Sequence, residues 1–317
     1  MRHELLPLAA TVVCVWLACC AAGQTADLPA LGATSDAHLI TVAASSRPLL
    51  KYRFDGVPRK PYVAELYSPS GRQVLRDSPQ DHKHHHALML ALGAGGIDFW
   101  SENEKCGSQR HVRMTSPEIT ATAAGHAMRF TQELEWTGPG QKDPILSERR
   151  TIAASREQDG PATLVTWHSR LQPAAGRADV ELSGAHYFGL GVRFVTSMDG
   201  TGKFRTDSGQ LGEIVRGTER VGPAKWCAYS APVDGKPVTL ALFDSPHNPR
   251  HPAPMFTMTA PFAYVSATLN LWKQPLVLKA GAPPLNLRYG IALWDGEVDQ
   301  QVIERLYAKW VQRDRGS

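Results

Sequence analysis

The chain has 317 residues, a formal net charge of +4, and a composition that is 43% hydrophobic and 20% charged. Its Lys and Arg are scattered rather than gathered into tracts, so the electrostatic footprint of a nucleic-acid binder is missing. Three of the five cysteines (Cys14, Cys19, Cys20) sit in the first apolar run, which excludes a disulfide-stapled scaffold. Cys106 and Cys227 are left as either one bridge or two buried thiols.

The chain opens with Met1-Arg2-His3-Glu4, an apolar run from Leu5 to Ala22, and then Gly23-Gln24. A basic start, an apolar stretch and small residues at Ala21 and Gly23 predict a secretory signal peptide over residues 1–23 and an exported protein, periplasmic or extracellular. A lipid-anchored form is the weaker alternative, because Cys19 stands where a lipoprotein cleavage site wants a small residue. No later segment is apolar enough to span a bilayer. Residues 24–37, rich in Ala, Thr and Gly, read as a flexible leader, and 38–317 as a single domain.

From residue 38 onward the pattern is strand after strand. Met128, Phe130, Leu134 and Trp136 alternate with Arg129, Thr131, Glu133 and Glu135; Leu287, Tyr289, Ile291 and Leu293 do the same. Further strands are predicted at 39–44, 49–54, 62–67, 111–124, 146–155, 163–171, 186–196, 237–243 and 262–271. Turn clusters such as Gly138-Pro139-Gly140 and Asp199-Gly200-Thr201-Gly202 separate them. One helix is predicted, at the end, from the spacing of Val298, Val302, Leu306 and Val311 around Ile303, Tyr307 and Trp310. The fold class expected is all-β: a large antiparallel β-sandwich with a C-terminal α-helix.

The chemistry concentrates in Ser78-Pro79-Gln80-Asp81-His82-Lys83-His84-His85-His86, which carries four of the twelve histidines. A strand beginning at His82 would place His82, His84 and His86 on one face with Leu88, Leu90 and Leu92, and His85 on the other. A helix would instead gather His82, His85 and His86. Three imidazoles converge either way, as general acid–base groups or as ligands of a divalent metal (Zn, Ca or Mn), for which His82, His84 and His86 are the candidates.

A second polar cluster is Asp244-Ser245-Pro246-His247-Asn248-Pro249-Arg250-His251-Pro252, a loop stiffened by three prolines. It offers His247, Asn248 and Arg250 for substrate hydroxyls and His251 for proton transfer. Smaller marks are Asp98 beside Trp100, His111, Glu148, the glycine-bearing strand that ends at Arg193, and Trp226 with Tyr229. Aromatic faces stack on sugar rings while carboxylates, imidazoles and guanidinium groups bind hydroxyls, so the set points to a carbohydrate cleft. Nucleophile elbow, phosphate loop, dinucleotide fingerprint and HExxH are all absent from the sequence.

In order, Lys60-Pro61-Tyr62, Leu66-Tyr67-Ser68-Pro69-Ser70-Gly71, Arg76-Asp77-Ser78-Pro79, Asp81-His82-Lys83-His84-His85, Asp98-Phe99-Trp100, Asn248-Pro249-Arg250-His251-Pro252 and Leu287-Arg288-Tyr289 resemble the DUF6807 family over roughly residues 38 to 297. His86 and Ala87 stand where Arg and Gly are expected, and Ser245 where His is common. Members of that family are often labelled methane oxygenase PmoA. A membrane monooxygenase subunit needs several spanning helices, for which this chain has no segments. The resemblance implies a galactose-mutarotase-like supersandwich and, by association, carbohydrate chemistry.

The expectation is therefore an exported carbohydrate-active enzyme. His82, His84, His85 and His251 would act with Glu148 or Asp98 on a glycoside or keto-sugar, by hydrolysis, elimination or epimerisation. A non-catalytic carbohydrate-binding module and a periplasmic metal-binding protein are the alternatives.

Overall fold

The computed structural model describes residues 30–122, 125–157 and 160–314. The expected signal peptide and residues 24–29 of the expected leader lie outside the described residues. Two large antiparallel sheets enclose the core. The first has ten strands in the spatial order Leu31–Ser35, Leu39–Ala44, Arg47–Arg53, Tyr62–Leu66, Leu88–Ala91, Gly189–Arg193, Tyr264–Thr268, Pro254–Met258, Glu219–Pro223 and Glu213–Arg216. The second has nine. Lys203–Thr206, Trp226–Val233, Lys236–Asp244, Leu285–Asp295, Ala162–Pro173, Leu146–Glu157, Gly125–Thr137 and Ser108–Met114 lie in order, and Glu118–Thr122 pairs beside Gly125–Thr137. A small sheet of four short strands joins Leu276–Leu278, Val180–Ser183, Gly93–Ala94 and Ile97–Asp98. This is the antiparallel sandwich that the alternating sequence predicts.

Alternation becomes burial in the long strands. In Leu146–Glu157, residues Leu146, Glu148, Arg150, Ile152 and Ala154 are buried on one side. Tyr52 of the ten-stranded sheet packs on Phe130 and Trp167 of the other, with ring centroids 5.3 and 6.4 Å apart. Each large apolar side chain so buried contributes roughly 1.5–3 kcal/mol. The terminal helix Gln300–Asp314 covers the opposite face of the nine-stranded sheet. Ile303, Leu306, Tyr307 and Trp310 rest there on Trp226, Phe243, Ala292 and Trp294.

Residues 31–35 depart from expectation. They form an edge strand paired in register with Leu39–Ala44 instead of belonging to a flexible leader. The intervening turn is fixed by Asp36, whose Oδ1 accepts from the backbone N–H groups of His38 and Leu39, both at 2.8 Å. Cys106 and Cys227 are both buried free thiols. Among the described residues, no helix is long and apolar enough to cross a membrane.

The sheet register decides which side of the ten-stranded sheet is available for a site. Phe194, continuing the alternation of Leu190 and Val192, meets Tyr229 of the nine-stranded sheet with centroids 5.0 Å apart. The even-numbered residues of Gly189–Arg193 therefore face the sandwich interior, and Gly191 and Arg193 face away from it. In the flanking strands Gly191 is opposite Met89 and Ser266, and Arg193 is opposite Tyr264, so these share the outward face. The His tract and the Asp98–Ser101 segment come to lie on that face.

Candidate functional site

The His tract is a compact turn rather than the start of a strand. The N–H of His82 donates to the carbonyl of Pro79, that of His85 to the carbonyl of His82, and that of Ser78 to the carbonyl of His85, each at 2.9 Å. Asp77 and His86 form an isolated bridge, and Ala87 takes a left-handed backbone (φ 48°) before the strand Leu88–Ala91 begins. The expected alternation from His82 is thereby corrected, because these turn hydrogen bonds replace a strand's period of two. The rings of His82, His84 and His85 converge, with centroids 4.8 Å (82–85), 5.8 Å (82–84) and 4.5 Å (84–85) apart. His86 turns elsewhere.

His85 is the centre of the group. It is 6% exposed, lies beneath the stacked ring of His82, and is ringed by Trp100, Phe262 and Tyr264 at 6.1, 5.4 and 5.4 Å. Arg193, 1% exposed, lays its guanidinium 3.5 Å over the Phe262 ring. Five polar atoms in this small volume have no hydrogen-bond partner: His85 Nδ1, Trp100 Nε1, Tyr264 OH, and Nε and Nη1 of Arg193. Buried polar groups are almost always satisfied, so these atoms need partners from outside the chain, ordered water or a ligand. Burial, reinforced by the neighbouring His84 and His82 and by Arg193, drives the imidazolium form of His85 down to about 2, so His85 is neutral. His84 is lowered too, by burial and then by Lys60 and His82.

Gly191 makes room for Tyr264. A Cβ there would fall 1.7 Å from the Tyr264 hydroxyl and 2.6 Å from Cζ. The glycine-bearing strand that the sequence marks as a place of close approach is thus approached by the Tyr264 ring.

His86 belongs to a neighbouring polar chain. Its Nδ1 lies 2.8 Å from Asp77 and its Nε2 2.9 Å from Glu102, while its ring stacks on Tyr62. Glu102 also accepts from the fully buried Lys60 at 2.8 Å, and Lys60 donates on to the carbonyl of Trp100 at 3.0 Å. Burial opposes ionisation of Glu102, but the bond from His86 and the charge of Lys60 outweigh it and hold the carboxyl near 2. Burial works against the charged form of His86 as well, yet its two carboxylate partners raise it above its ordinary value. The chain fastens the Trp100 segment to the His tract. Because both His86 nitrogens are engaged, the expected His82, His84 and His86 ligand set is not assembled. Among the described residues, no three His, Cys, Asp or Glu side chains are grouped to hold a metal ion.

The remaining predicted residues are dispersed. Asp98 accepts from the backbone N–H of Trp100 (2.6 Å) and Ser101 (3.1 Å), a turn that sets the position of Trp100. Glu148 is sealed in the core, bound by Arg150 (2.8 Å), Trp136 Nε1 (2.8 Å) and Ser169 (2.5 Å), so it is no partner for the histidines. His111 packs on Phe54 and lies 3.1 Å from the Gln132 amide. Trp226 is buried under the terminal helix, and Tyr229 donates to the Met198 carbonyl at 2.6 Å. Neither reaches a cleft.

The proline-rich loop is built for its own rigidity. Asn248 donates to Asp244 (2.7 Å) and the Arg288 carbonyl (2.8 Å) and accepts from the Arg288 N–H (2.7 Å), which uses both amide hydrogens and one lone pair of the amide oxygen within the loop's own framework. Arg250 caps the carbonyls of Leu269, Gln274 and Pro275. His247 is exposed. His251 pairs through Nδ1 with buried Asp244 at 2.7 Å, whose carboxyl burial raises. No ring contact or hydrogen bond among the described residues joins His251 to the His tract. The hairpin register explains why: Tyr264 pairs with Met258 at one end, while His251 precedes Pro254 at the other.

Phe262, Tyr264 and Trp272 carry no sequence mark, and the half-buried Tyr187 lies just ahead of the glycine-bearing strand. The aromatic surface continues outward through these last two, with Trp100–Tyr187 at 5.4 Å and His186–Trp272 at 6.2 Å. Only the glycines before Arg193 signal the Tyr264 approach. A surface cavity of about 690 Å³ is lined by residues including Ser70, Arg72, Ser197, Asp234 and Lys236. Its lining holds no orphaned buried polar atom, so it gives less chemical reason for a ligand than the His85 cluster does.

A family model described as "Family of unknown function (DUF6807)" matches residues 39–308. No curated protein matches the chain. Among solved structures, the GH36 alpha-galactosidase AgaA from Geobacillus stearothermophilus matches with a TM-score of 0.46 at 12% identity, over 84% of this chain and 41% of that one. The galactosidase domain of the alpha-galactosidase-sucrose kinase AgaSK matches with a TM-score of 0.41 at 7% identity, over 83% and 40%. The chain thus spans about two fifths of the length of these proteins. At this level of likeness nothing of their chemistry transfers.

Proposed function

The chain belongs to the DUF6807 family, and we propose that it is an exported carbohydrate-active enzyme whose working site is the His82–His84–His85 group over Trp100, Arg193, Phe262 and Tyr264. The observation that carries this reading is the convergence of unpartnered polar atoms from Trp100, Tyr264, Arg193 and His85 among aromatic rings. Rings offer faces for the C–H surface of a sugar, and the orphaned donors need oxygen atoms. Tyr187 and Trp272 extend the aromatic strip toward solvent, where a second sugar ring would rest.

His82 and His84, both partly exposed, lie between His85 and solvent. His84, whose charged form is disfavoured by burial and by Lys60 and His82, would take a proton from a substrate carbon in elimination or epimerisation, or from the attacking water in hydrolysis. His85 is a weak base and serves better as a hydrogen-bonding group.

One observation favours a second reading, a non-catalytic carbohydrate-binding module. The neighbouring carboxylates Asp81, Asp98 and Glu102 are already engaged by His82, by backbone N–H groups, and by His86 with Lys60. Titration and turnover on a panel of glycosides and keto-sugars separate the two. The enzyme reading expects His84→Ala to lose turnover while keeping its melting temperature and most of its affinity. Binding without turnover in the wild-type protein moves the assignment to the module. Full activity in His84→Ala and in Tyr264→Phe together overturns the site. Elemental analysis of tag-free protein, with a chelator control, tests for Zn, Ca or Mn.

A further inference from the structure

We propose that the ligand of this buried side-chain group is an acidic sugar, a uronate or aldonate, whose carboxylate is held by Arg193 with Tyr264 and Trp100 as flanking donors. The inference rests on the carbohydrate reading and narrows it. Arg193 is the decisive group. Its side chain is almost wholly removed from solvent, its Nε and Nη1 have no partner, and no carboxylate among the described residues pairs with it within 4 Å. The charged groups that act on it are Asp199, Asp81 and Arg76. Asp199 is held by the Ala263 N–H at 2.8 Å and lies 3.8 Å from Arg76, while Asp81 lies 2.9 Å from His82. Both acids act on Arg193 through charge, and neither bonds it directly.

A buried charge without a partner is expensive, and hydroxyls of a neutral sugar would fill hydrogen bonds without compensating it. A carboxylate does both, in the planar geometry that guanidinium prefers. The neighbouring groups agree. Trp100 Nε1 is a pure donor, and Tyr264 OH and neutral His85 can donate. A site for neutral sugars ordinarily turns carboxylates toward hydroxyls, and here each neighbouring carboxylate is already bound. Phe262 lies against Arg193 and closes the apolar side of the guanidinium.

The strand supplies the geometry. Arg193 and Tyr264 are directly opposed across neighbouring strands on the outward face, with Gly191 leaving the space the tyrosine ring fills. The two recognition groups are therefore positioned by main-chain pairing in the middle of a ten-stranded sheet, and little ordering entropy is lost when the ligand arrives.

The test uses the full protein and calorimetric titration with glucuronate, galacturonate and gluconate against glucose and galactose, with succinate as a carboxylate that is not a sugar. The expected result is binding of at least one acidic sugar, weakening with salt, at least tenfold tighter than its neutral counterpart. Arg193→Met should lose that binding at least tenfold without lowering the melting temperature, because it removes an unpaired buried charge. Equal affinity for acidic and neutral sugars, unchanged in Arg193→Met, overturns the acidic ligand and leaves the carbohydrate reading standing. Binding of succinate with no sugar bound overturns the carbohydrate reading and the acidic-sugar assignment with it. A melting temperature that collapses in Arg193→Met, with acidic-sugar affinity retained in the folded fraction, makes Arg193 structural and also overturns the proposal.

Discussion

Replacing Gly191 by alanine tests the seating of Tyr264 through one methyl group. The residue has no left-handed backbone to strain, so the effect comes from the added Cβ alone. That atom would stand 1.7 Å from the Tyr264 hydroxyl, 2.6 Å from its Cζ and 3.4 Å from Trp100. The first two separations are impossible, and the buried Tyr264 ring must shift. Forced displacement in a packed interior costs about 1–3 kcal/mol, against about 0.4–1 kcal/mol returned by restricting the unfolded chain. The net expectation is a loss of roughly 1–2 kcal/mol. At about 2–4 °C per kcal/mol for chains of 150–250 residues, the melting temperature falls by about 2–8 °C. Thermal unfolding of Gly191→Ala, Tyr264→Leu and the double variant reads it directly. With the ring end removed, the alanine should cost nothing, giving a coupling of about 1–2 kcal/mol between the two sites. Additive effects, or a single variant as stable as wild type, would refute the claim that Gly191 exists to seat Tyr264.

The Lys60–Glu102–His86 chain predicts a pH signature. The Glu102 carboxyl is lowered from 4.5 to about 2 in the folded state, so its stabilisation is complete above the unfolded value and is lost as pH falls between 4.5 and 2. The shift sets an upper bound of about 3 kcal/mol, and Glu102→Gln should flatten that acid limb in melting temperature against pH. His86 is raised, so its contribution is present below its ordinary value of 6.5 and is lost as pH rises through the folded one. His86→Gln should remove that slope, and an unchanged profile in both variants would show the chain to be energetically silent. Asn248→Ala should leave the Arg288 N–H and one Asp244 oxygen without their present partner and lower stability by about 1–3 kcal/mol. Sugar affinity of the folded protein should stay unchanged, and a selective loss of affinity would return the amide to the substrate.

Much of the architecture was legible because strand alternation is a local property. The Met128–Trp136 alternation fell inside Gly125–Thr137, the Leu287–Leu293 alternation inside Leu285–Asp295, and the terminal helix emerged from its apolar spacing at Gln300–Asp314. Less regular strands such as Pro254–Met258 and Glu219–Pro223 were missed, since proline and short length weaken the signal.

The candidate site was legible only as a location. Composition marks the His tract and Trp100, and the imidazoles of His82, His84 and His85 do meet. Which histidine diverges could not be read, because three turn hydrogen bonds and the left-handed Ala87 set the ring directions. Glu148 and Asn248 look like site residues in sequence, and only tertiary packing consumes their polar groups. Arg193 and Tyr264 stand at the centre of the proposed site for the converse reason. Their strands are neighbours in space and distant in the chain, and the lack of a partner is a property of everything around a side chain, which no local pattern encodes.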